Sequence, residues 1–320
     1  MRLTIEKRRP RSRIFLVFLW LLMLILSLLI ISAVLSFLFG LSPQRLVSLD
    51  WGGYVATSSY SNPSPVMSGV SGSWTVPKVT VTPDDRFSAA WVGIGGQVDS
   101  TLIQVGTEHD SIGGLESYSA WYELLPDASI NITTVQVRPG DKINASIVLV
   151  DAVADSWVIN IMDVTTGQQY SQDFVYNSSR LSAEWIVERP TVNNGLAALA
   201  DFGSITFTNA MAAKNDTAMA INKFSFAQIA MYDRRNNQLV SISSLGSDGE
   251  SFTVSYLASG SIVSSFGYFE NRIVEVLCLN GEELFGAVQG FEQNFAFFGG
   301  SVIGEFIFRA VDFRYESFFQ

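Results

Sequence analysis

Between residues 48 and 257, apolar and polar residues alternate over short runs that are separated by turn-forming residues. Alternation with a period of two places every second side chain on the same face, which is typical of a half-buried β-strand. Glycine, proline, asparagine and aspartate recur between the runs, about every 10–15 residues, and no run has the period of an amphipathic helix. The pattern therefore predicts an antiparallel β-sandwich of two sheets, with the clearest strands at residues 143–150, 157–162, 202–208 and 251–256.

Two further predicted strands, residues 102–106 and 182–188, each carry a polar side chain inside an apolar, β-branched run. Burial of Gln104 or Glu184 costs free energy unless a partner satisfies the side chain. We therefore expect the two side chains to face each other, or a water molecule, across a cleft. A carboxylate next to an amide can take a proton from water and stabilise an oxyanion. The simpler alternative is that each residue lies on a solvated strand face.

The N-terminus has a different pattern, because residues 14–41 form 28 consecutive positions without a charge. This exceeds both the ~20 residues that cross a bilayer and the ~7–15 residues of a signal-peptide core. Residues 1–13 hold six basic residues and one acidic residue, whereas only Arg45 follows closely. The positive-inside rule predicts a single-pass signal anchor with a cytoplasmic N-terminus and an extracellular domain. Cleavage near residues 32–40, which would give a secreted protein, is the alternative.

These patterns divide the chain into four segments. They are a basic cytoplasmic tail, a transmembrane helix, the β-sandwich and a C-terminal extension, at residues 1–13, 14–41, 42–257 and 258–320. The extension holds 12 of the 23 phenylalanines, and its charged residues are too frequent for a second membrane span. It could pack against the sandwich, bind a partner or lie on the membrane surface.

The charge balance bears on possible partners. Residues 1–45 hold seven of the 20 basic and one of the 30 acidic residues, so the rest of the chain has 13 basic residues against 29 acidic ones. Such an excess of negative charge argues against a nucleic-acid partner. Four glycosylation sequons agree with an extracellular location, and they begin at Asn131, Asn144, Asn177 and Asn215. Nothing in the sequence indicates the oligomeric state.

The residue composition also limits the possible chemistry. Cys278 is the single cysteine, so an intrachain disulfide and a cysteine zinc cluster are both excluded. His109 is the single histidine, which leaves little room for serine–histidine or cysteine–histidine catalysis. The sequence also lacks the common motifs of metallopeptidases and of phosphate-binding loops. We therefore expect no metal and no cofactor, and carboxylate chemistry remains the main enzymatic option.

Six short motifs accompany the strands of Gln104 and Glu184, namely residues 50–54, 72–77, 90–96, 118–123, 139–141 and 165–168. In this order and at these spacings they resemble the glutamic peptidases, also called the eqolisin or scytalidoglutamic peptidase family. The resemblance covers about two thirds of the chain, residues 48–257. No single motif is decisive, but so many in the same order are improbable by chance.

The resemblance implies a fold and a mechanism. The fold would be two large, curved antiparallel sheets, as in the concanavalin-like legume lectins, with the active cleft on the concave sheet. Glu184 would act as general base and then general acid, and Gln104 would stabilise the oxyanion, without metal or covalent intermediate. Trp91, Trp121 and Glu123 match positions that line or support the family's cleft. The substrates would be polypeptides, although both tryptophans could equally belong to the sandwich core.

The chain departs from the fungal relatives at several points. Gly95 and Ser119 stand where those relatives carry aspartates, so the groups that support the catalytic pair must differ. The relatives' disulfides are absent, and only residues 42–49 separate the predicted membrane helix from the domain. Control by a long propeptide is therefore not expected.

Two other function classes stay open at the level of sequence. A carbohydrate-binding or surface-binding sandwich would keep the fold without needing both Gln104 and Glu184. A glycosidase would need a second carboxylate near Glu184, and Glu123 or Glu188 would have to supply it. For the peptidase, a glutamate that must accept and then donate a proton predicts an activity maximum below pH ~5.

Overall fold

The computed structural model describes residues 44–258, together with residues 20, 23–25, 27 and 274–275. Nearly all of the described chain forms β-strands and turns, with one short 3₁₀ helix at Ile221–Lys223. The strands are β1 Gln44–Ser48, β2 Trp51–Thr57, β3 Met67–Thr75, β4 Ala89–Gly95, β5 Leu102–Ile112, β6 Leu115–Leu124, β7 Ile130–Asn131, β8 Lys142–Asp151, β9 Ser156–Asp163, β10 Gln169–Val175, β11 Ser182–Glu188, β12 Thr191–Val192, β13 Gly195–Leu196, β14 Ser204–Lys214, β15 Thr217–Ala220, β16 Ser225–Met231, β17 Val240–Ile242, β18 Phe252–Tyr256 and β19 Val274–Glu275.

Two large sheets contain almost all of these strands. The front sheet has nine strands in the order β19-β1-β16-β2-β11-β4-β5-β6-β7. The back sheet has eight strands, in the order β10-β9-β8-β3-β14-β18-β17 with β15 paired to β14. Neighbouring strands run antiparallel except at one edge of the front sheet, where β1 is parallel to both β16 and β19. The architecture is the two-sheet β-sandwich that the alternating pattern predicts.

The core lies between the two sheets and determines which side chains face outward. Trp185 is fully buried there, and its indole nitrogen donates to the Ser71 carbonyl of the back sheet at 2.7 Å. Trp157 and Phe207 fill the same layer from the back sheet. Successive strand residues point to opposite faces. Because Trp185 points into the core, Glu184 lies on the outer face of the front sheet. The packing of the core thus fixes the side on which Glu184 lies.

The strand predictions agree with the structure at β5, β8, β9, β11 and β18. The bounds of β11 match the predicted strand at residues 182–188, whereas the predicted strand at residues 202–208 begins at Ser204 and continues to Lys214. The predicted transmembrane helix and C-terminal extension lie almost wholly outside the described residues. Among the residues that are described, no helix has the length and apolar character needed to cross a membrane.

Buried carboxyl groups make the stability of this fold depend on pH. Burial raises the pKa of Asp110 to about 7 and that of Glu188 to about 8, and burial also raises the pKa values of Glu123 and Glu184. A carboxyl whose folded pKa is raised favours folding fully below its unfolded value, and this contribution is lost as the pH rises through the folded pKa. Burial of His109 acts in the opposite direction, because it lowers the pKa to about 3. Its contribution to stability is complete above about pH 6.5 and is lost as the pH falls to about 3.

We therefore expect the melting temperature to be highest near pH ~4 and to fall as the pH rises to about 8. A net loss of roughly 1 kcal/mol would lower Tm by about 2–4 °C in a domain of this size. Thermal unfolding followed by circular dichroism from pH 3 to 8 measures this curve. The Asp110→Asn variant keeps an oxygen that can accept from the Ser88 amide, and its curve should be flatter between pH 4 and 7. A Tm that rises steadily from pH 5 to 8 would contradict the assignment.

Candidate active site

The two polar side chains that the sequence indicates lie on the same outer face of the front sheet. Glu184 of β11 lies opposite Gly93 of β4, and Gly93 lies opposite Gln104 of β5. Residues opposite each other on neighbouring strands project to the same side. Since neighbouring strands are ~4.8 Å apart, the Cα atoms of Glu184 and Gln104 are about 10 Å apart. The two side chains therefore flank a glycine and do not pair directly.

Gly93 carries no side chain of its own and leaves room for Trp91 and Leu102 between Glu184 and Gln104. A Cβ atom added there would lie 2.8 Å from Cζ3 of Trp91 and 2.9 Å from Cδ1 of Leu102. Such contacts are too short, so any larger residue would displace these two neighbours. The glycine thus allows Trp91 and Leu102 to close over the strand between Glu184 and Gln104.

Glu123 holds the amide of Gln104. The two residues are opposite each other on β5 and β6, and Gln104 Nε2 donates to Glu123 Oε2 at 2.5 Å. A primary amide has two N–H donors and one carbonyl acceptor. The bond to Glu123 uses one donor, while Gln104 Oε1 is buried without a partner. One donor and one acceptor of the amide therefore remain for a substrate or a water molecule.

Glu184 is fully buried, and neither of its carboxyl oxygens has a hydrogen-bond partner. Burial raises its pKa well above the usual value, and the negative charge of Asp99 acts in the same direction. The Ser182 hydroxyl lies close enough to act in the opposite direction. A carboxyl in such a position exchanges a proton more readily near neutral or mildly acidic pH than an exposed glutamate does.

Both predicted cleft tryptophans lie on this outer face and outside the inter-sheet core. Trp91 and Trp121 lie on either side of Gly106, two residues along the strands from the row of Glu184, Gly93 and Gln104. Trp91 is fully buried and donates to Glu188 Oε2 at 2.7 Å. The indole nitrogen of Trp121 is buried without a partner. Both tryptophans are therefore buried, but on the outer face of the front sheet and not between the two sheets.

The structure also shows the surroundings of Gly95 and Ser119, the two residues that stand in place of aspartates. Gly95 has a φ of +93°, and a Cβ atom there would lie 2.2 Å from the Thr101 carbonyl oxygen, so this backbone accepts only glycine. Ser119 donates to Glu108 Oε2 at 2.8 Å from the opposite position on β5. A carboxylate is thus present next to this position, but β5 supplies it instead of β6.

Sequence reasoning missed three residues around Glu184. Tyr60 donates from its hydroxyl to the Val55 carbonyl oxygen at 3.1 Å, and its raised pKa reflects burial and the charge of Glu184. Thr57 and Ser182 are fully buried on the same face. The period of two along β11 could have indicated Ser182, whereas nothing in the sequence places Tyr60 or Thr57 near Glu184.

Together, these features define a candidate site with a buried carboxyl group and a buried amide on one face of a β-sandwich. The model of the peptidase A4 family matches residues 49–256, which covers most of the described chain. The chain therefore belongs to the peptidase A4 family, the glutamic peptidases, and is a hydrolase of peptide bonds. The resemblance noted in the sequence is confirmed.

Individual relatives agree with this assignment. The chain is 29% identical over 210 residues to aspergillopepsin-2 of Aspergillus niger, covering 64% of this chain and 72% of the relative. It is 29% identical over 150 residues to scytalidopepsin B of Scytalidium lignicola, covering 45% of this chain and 53% of the relative. The fold matches a crystal structure of scytalido-glutamic peptidase with a transition state analog inhibitor at a TM-score of 0.56 and 22% identity, over 66% of this chain and 99% of that one.

The geometry does not favour the glycosidase alternative. Glu188 is four residues from Glu184 on one strand, or about 13 Å between Cα atoms, and Glu123 is three strands away, or about 14 Å. In glycosidases the carboxyl groups themselves are typically about 5–9.5 Å apart, so either pair would have to turn its side chains toward each other. In addition, Glu123 and Glu188 are already bound to Gln104 and Trp91.

Proposed function

We propose that this chain is an acid-acting endopeptidase in which Glu184 and Gln104 activate water, without metal or covalent intermediate. The observation that carries the proposal is the row of Glu184, Gly93 and Gln104 across three strands. It combines a buried, unpaired carboxyl group with an amide that retains one donor and one acceptor. These are the groups that direct attack of water on a carbonyl carbon requires.

In the first step, a water molecule between the two side chains donates to ionised Glu184 and to Gln104 Oε1. Glu184 takes the proton while the hydroxide oxygen bonds to the scissile carbonyl carbon. The free N–H of Gln104 donates to the resulting oxyanion. Glu184 then returns the proton to the amide nitrogen, the C–N bond breaks, and a carboxylic acid and an amine leave.

Three neighbouring residues support this step. Glu123 fixes the orientation of the Gln104 amide through its hydrogen bond. Trp91 and Trp121 lie two residues along their strands from the row of Glu184, Gly93 and Gln104. There they form an apolar wall against which a substrate side chain next to the scissile bond would pack. All three therefore act in positioning or binding, and none exchanges a proton with the substrate.

Burial of Glu184 refines the expected pH dependence. As a base Glu184 must be ionised, and its pKa is raised in the buried site. The acid limb of the rate profile should therefore lie above the ordinary glutamate value of ~4.3, and we expect the maximum between about pH 5 and 6. This range lies slightly above the value that the sequence alone predicts.

Endopeptidase activity can be tested on the purified protein with a denatured protein as substrate in acid. We expect internal cleavage, with fragments mapped by mass spectrometry, and equal rates with and without EDTA, serine reagents or thiol reagents. A chelator that stops cleavage would point to a metal-dependent reaction. Inactivation by a serine or thiol reagent would point to a covalent intermediate, and either result would overturn the mechanism.

We further propose that residues 14–41 anchor the enzyme in the cell membrane, with residues 1–13 in the cytoplasm and the peptidase domain outside. The support is the uncharged length of the segment and the six basic residues before it. Protease added to intact cells should digest the domain and spare a tag fused at residue 1. A soluble domain in the medium whose N-terminus lies between residues 32 and 42 would show that the segment is a signal peptide.

A further inference from the structure

Two buried hydroxyl groups lie beside Glu184 on the side away from Gln104. Ser182 precedes Glu184 by two residues on β11, so both side chains share the outer face. Thr57 lies opposite Ser182 on β2. All three side chains are fully buried, and Thr57 Oγ1, Ser182 Oγ and both oxygens of Glu184 have no hydrogen-bond partner.

Four unpaired polar atoms in one patch indicate a shared role, since each would cost free energy if it stayed unpaired. The groups are also complementary. A hydroxyl can donate one hydrogen bond and accept another, so Thr57 can donate to Ser182 while Ser182 donates to Glu184. The Ser182 hydroxyl is already close enough to lower the pKa of Glu184, and Thr57 lies directly opposite Ser182.

The charges that act on Glu184 make such a donor important. Asp99, from the loop between β4 and β5, opposes ionisation of Glu184, and the phenol of Tyr60 is close enough to Glu184 for the carboxylate charge to raise its pKa. Glu188 follows on its own strand, and Glu123 lies beyond Gln104 on β6. None of these groups is basic, so hydrogen bonds are what remains to stabilise the carboxylate.

We propose that Ser182, supported by Thr57, is a positioning residue that donates to one oxygen of the Glu184 carboxylate and directs the other oxygen to the attacking water. The inference rests on the proposed role of Glu184. A hydroxyl that binds only the charged form favours that form, so its loss should raise the pKa of Glu184 further. The base would then be ionised at higher pH only.

The test compares pH profiles of kcat and kcat/KM for the full-length protein and its variants on one unstructured peptide. In Ser182→Ala the acid limb should move up by about one pH unit and kcat should fall about tenfold, with KM nearly unchanged. Thr57→Val should give a smaller change in the same direction, and Thr57→Ser, which keeps the hydroxyl, should restore the wild-type profile. Ser179→Ala is the matched control, because Ser179 Oγ is also buried without a partner but lies outside β11. All proteins are made without N-glycosylation, since this substitution also removes the sequon at Asn177.

The outcomes separate this inference from the function on which it depends. If the wild type cleaves, Glu184→Gln does not, and the Ser182→Ala profile superimposes on that of the wild type, the inference alone is wrong. If Ser179→Ala produces the same shift as Ser182→Ala, the effect is a general one of buried serines and the inference is also wrong. If the wild type itself fails to cleave, the proposed function falls together with the inference.

Discussion

Replacing Glu184 with glutamine should lower kcat about 10³-fold or more, because one group performs both proton transfers of the proposed reaction. Glutamine has almost the same shape but cannot accept the proton from water. Since burial raises the pKa of Glu184, the site disfavours a charged group, and the neutral amide of glutamine should fit it equally well. Circular dichroism and Tm at pH 5 should therefore match those of the wild type.

Glu116→Gln is a suitable control for this experiment. Glu116 is an exposed residue of β6, at the end of the strand away from Glu123. Its replacement removes a carboxyl group from the same sheet and should leave kcat unchanged. Retention of more than a tenth of the wild-type activity by Glu184→Gln would refute the assigned role of Glu184.

Replacing Gln104 with alanine should lower kcat by about 10²–10³-fold, which is the effect of removing one oxyanion donor in other hydrolases. The substitution also removes the amide N–H that donates a hydrogen bond to Glu123 in the structure. Because Glu123 is partly buried and its pKa is already raised, its carboxyl should then become still harder to ionise. Initial rates at saturating substrate measure the effect on kcat.

The variant Glu123→Gln measures how much the orientation of the Gln104 amide contributes, apart from its binding of the oxyanion. It keeps the size of the side chain but replaces a carboxylate acceptor with an amide, so the Gln104 amide is held less firmly. We expect a loss of about tenfold, clearly smaller than that of Gln104→Ala. If Gln104→Ala keeps more than a third of the wild-type kcat, the amide does not stabilise the transition state.

The sequence predicted the sandwich and the two main side chains for reasons that are local. The alternation in residues 182–188 places Glu184 and Trp185 on opposite faces, and β11 has these bounds in the structure. The same parity correctly places Glu188 on the face of Glu184. Burial of Gln104 and Glu184 followed from the apolar residues beside them, and both are buried.

The features of the site that the sequence could not predict depend on pairing between distant strands. Gly93 separates Glu184 from Gln104 only because β4 lies between β11 and β5, and no local pattern specifies that order. The bond from Gln104 to Glu123 likewise depends on the register of β5 with β6. The two tryptophans were ambiguous for the same reason, since burial alone does not say which face of a sheet they occupy.

The edge of the front sheet is a further case. Residues 42–49 read as a short linker after the predicted membrane helix, yet β1 forms there and pairs in parallel with β16. Leu46 of this strand is fully buried. Parallel pairing with a strand about 180 residues away leaves no trace in a local pattern, so the sequence could not reveal it.

The most direct test of the central claim is the initial rate of cleavage of one unstructured peptide by wild type and Glu184→Gln, measured side by side from pH 2 to 8. We predict internal cleavage by the wild type with a maximum between about pH 5 and 6, and almost no cleavage by the variant at any pH. Comparable rates for the two proteins, or a wild-type maximum at pH 7 or above while the protein remains folded, would contradict it.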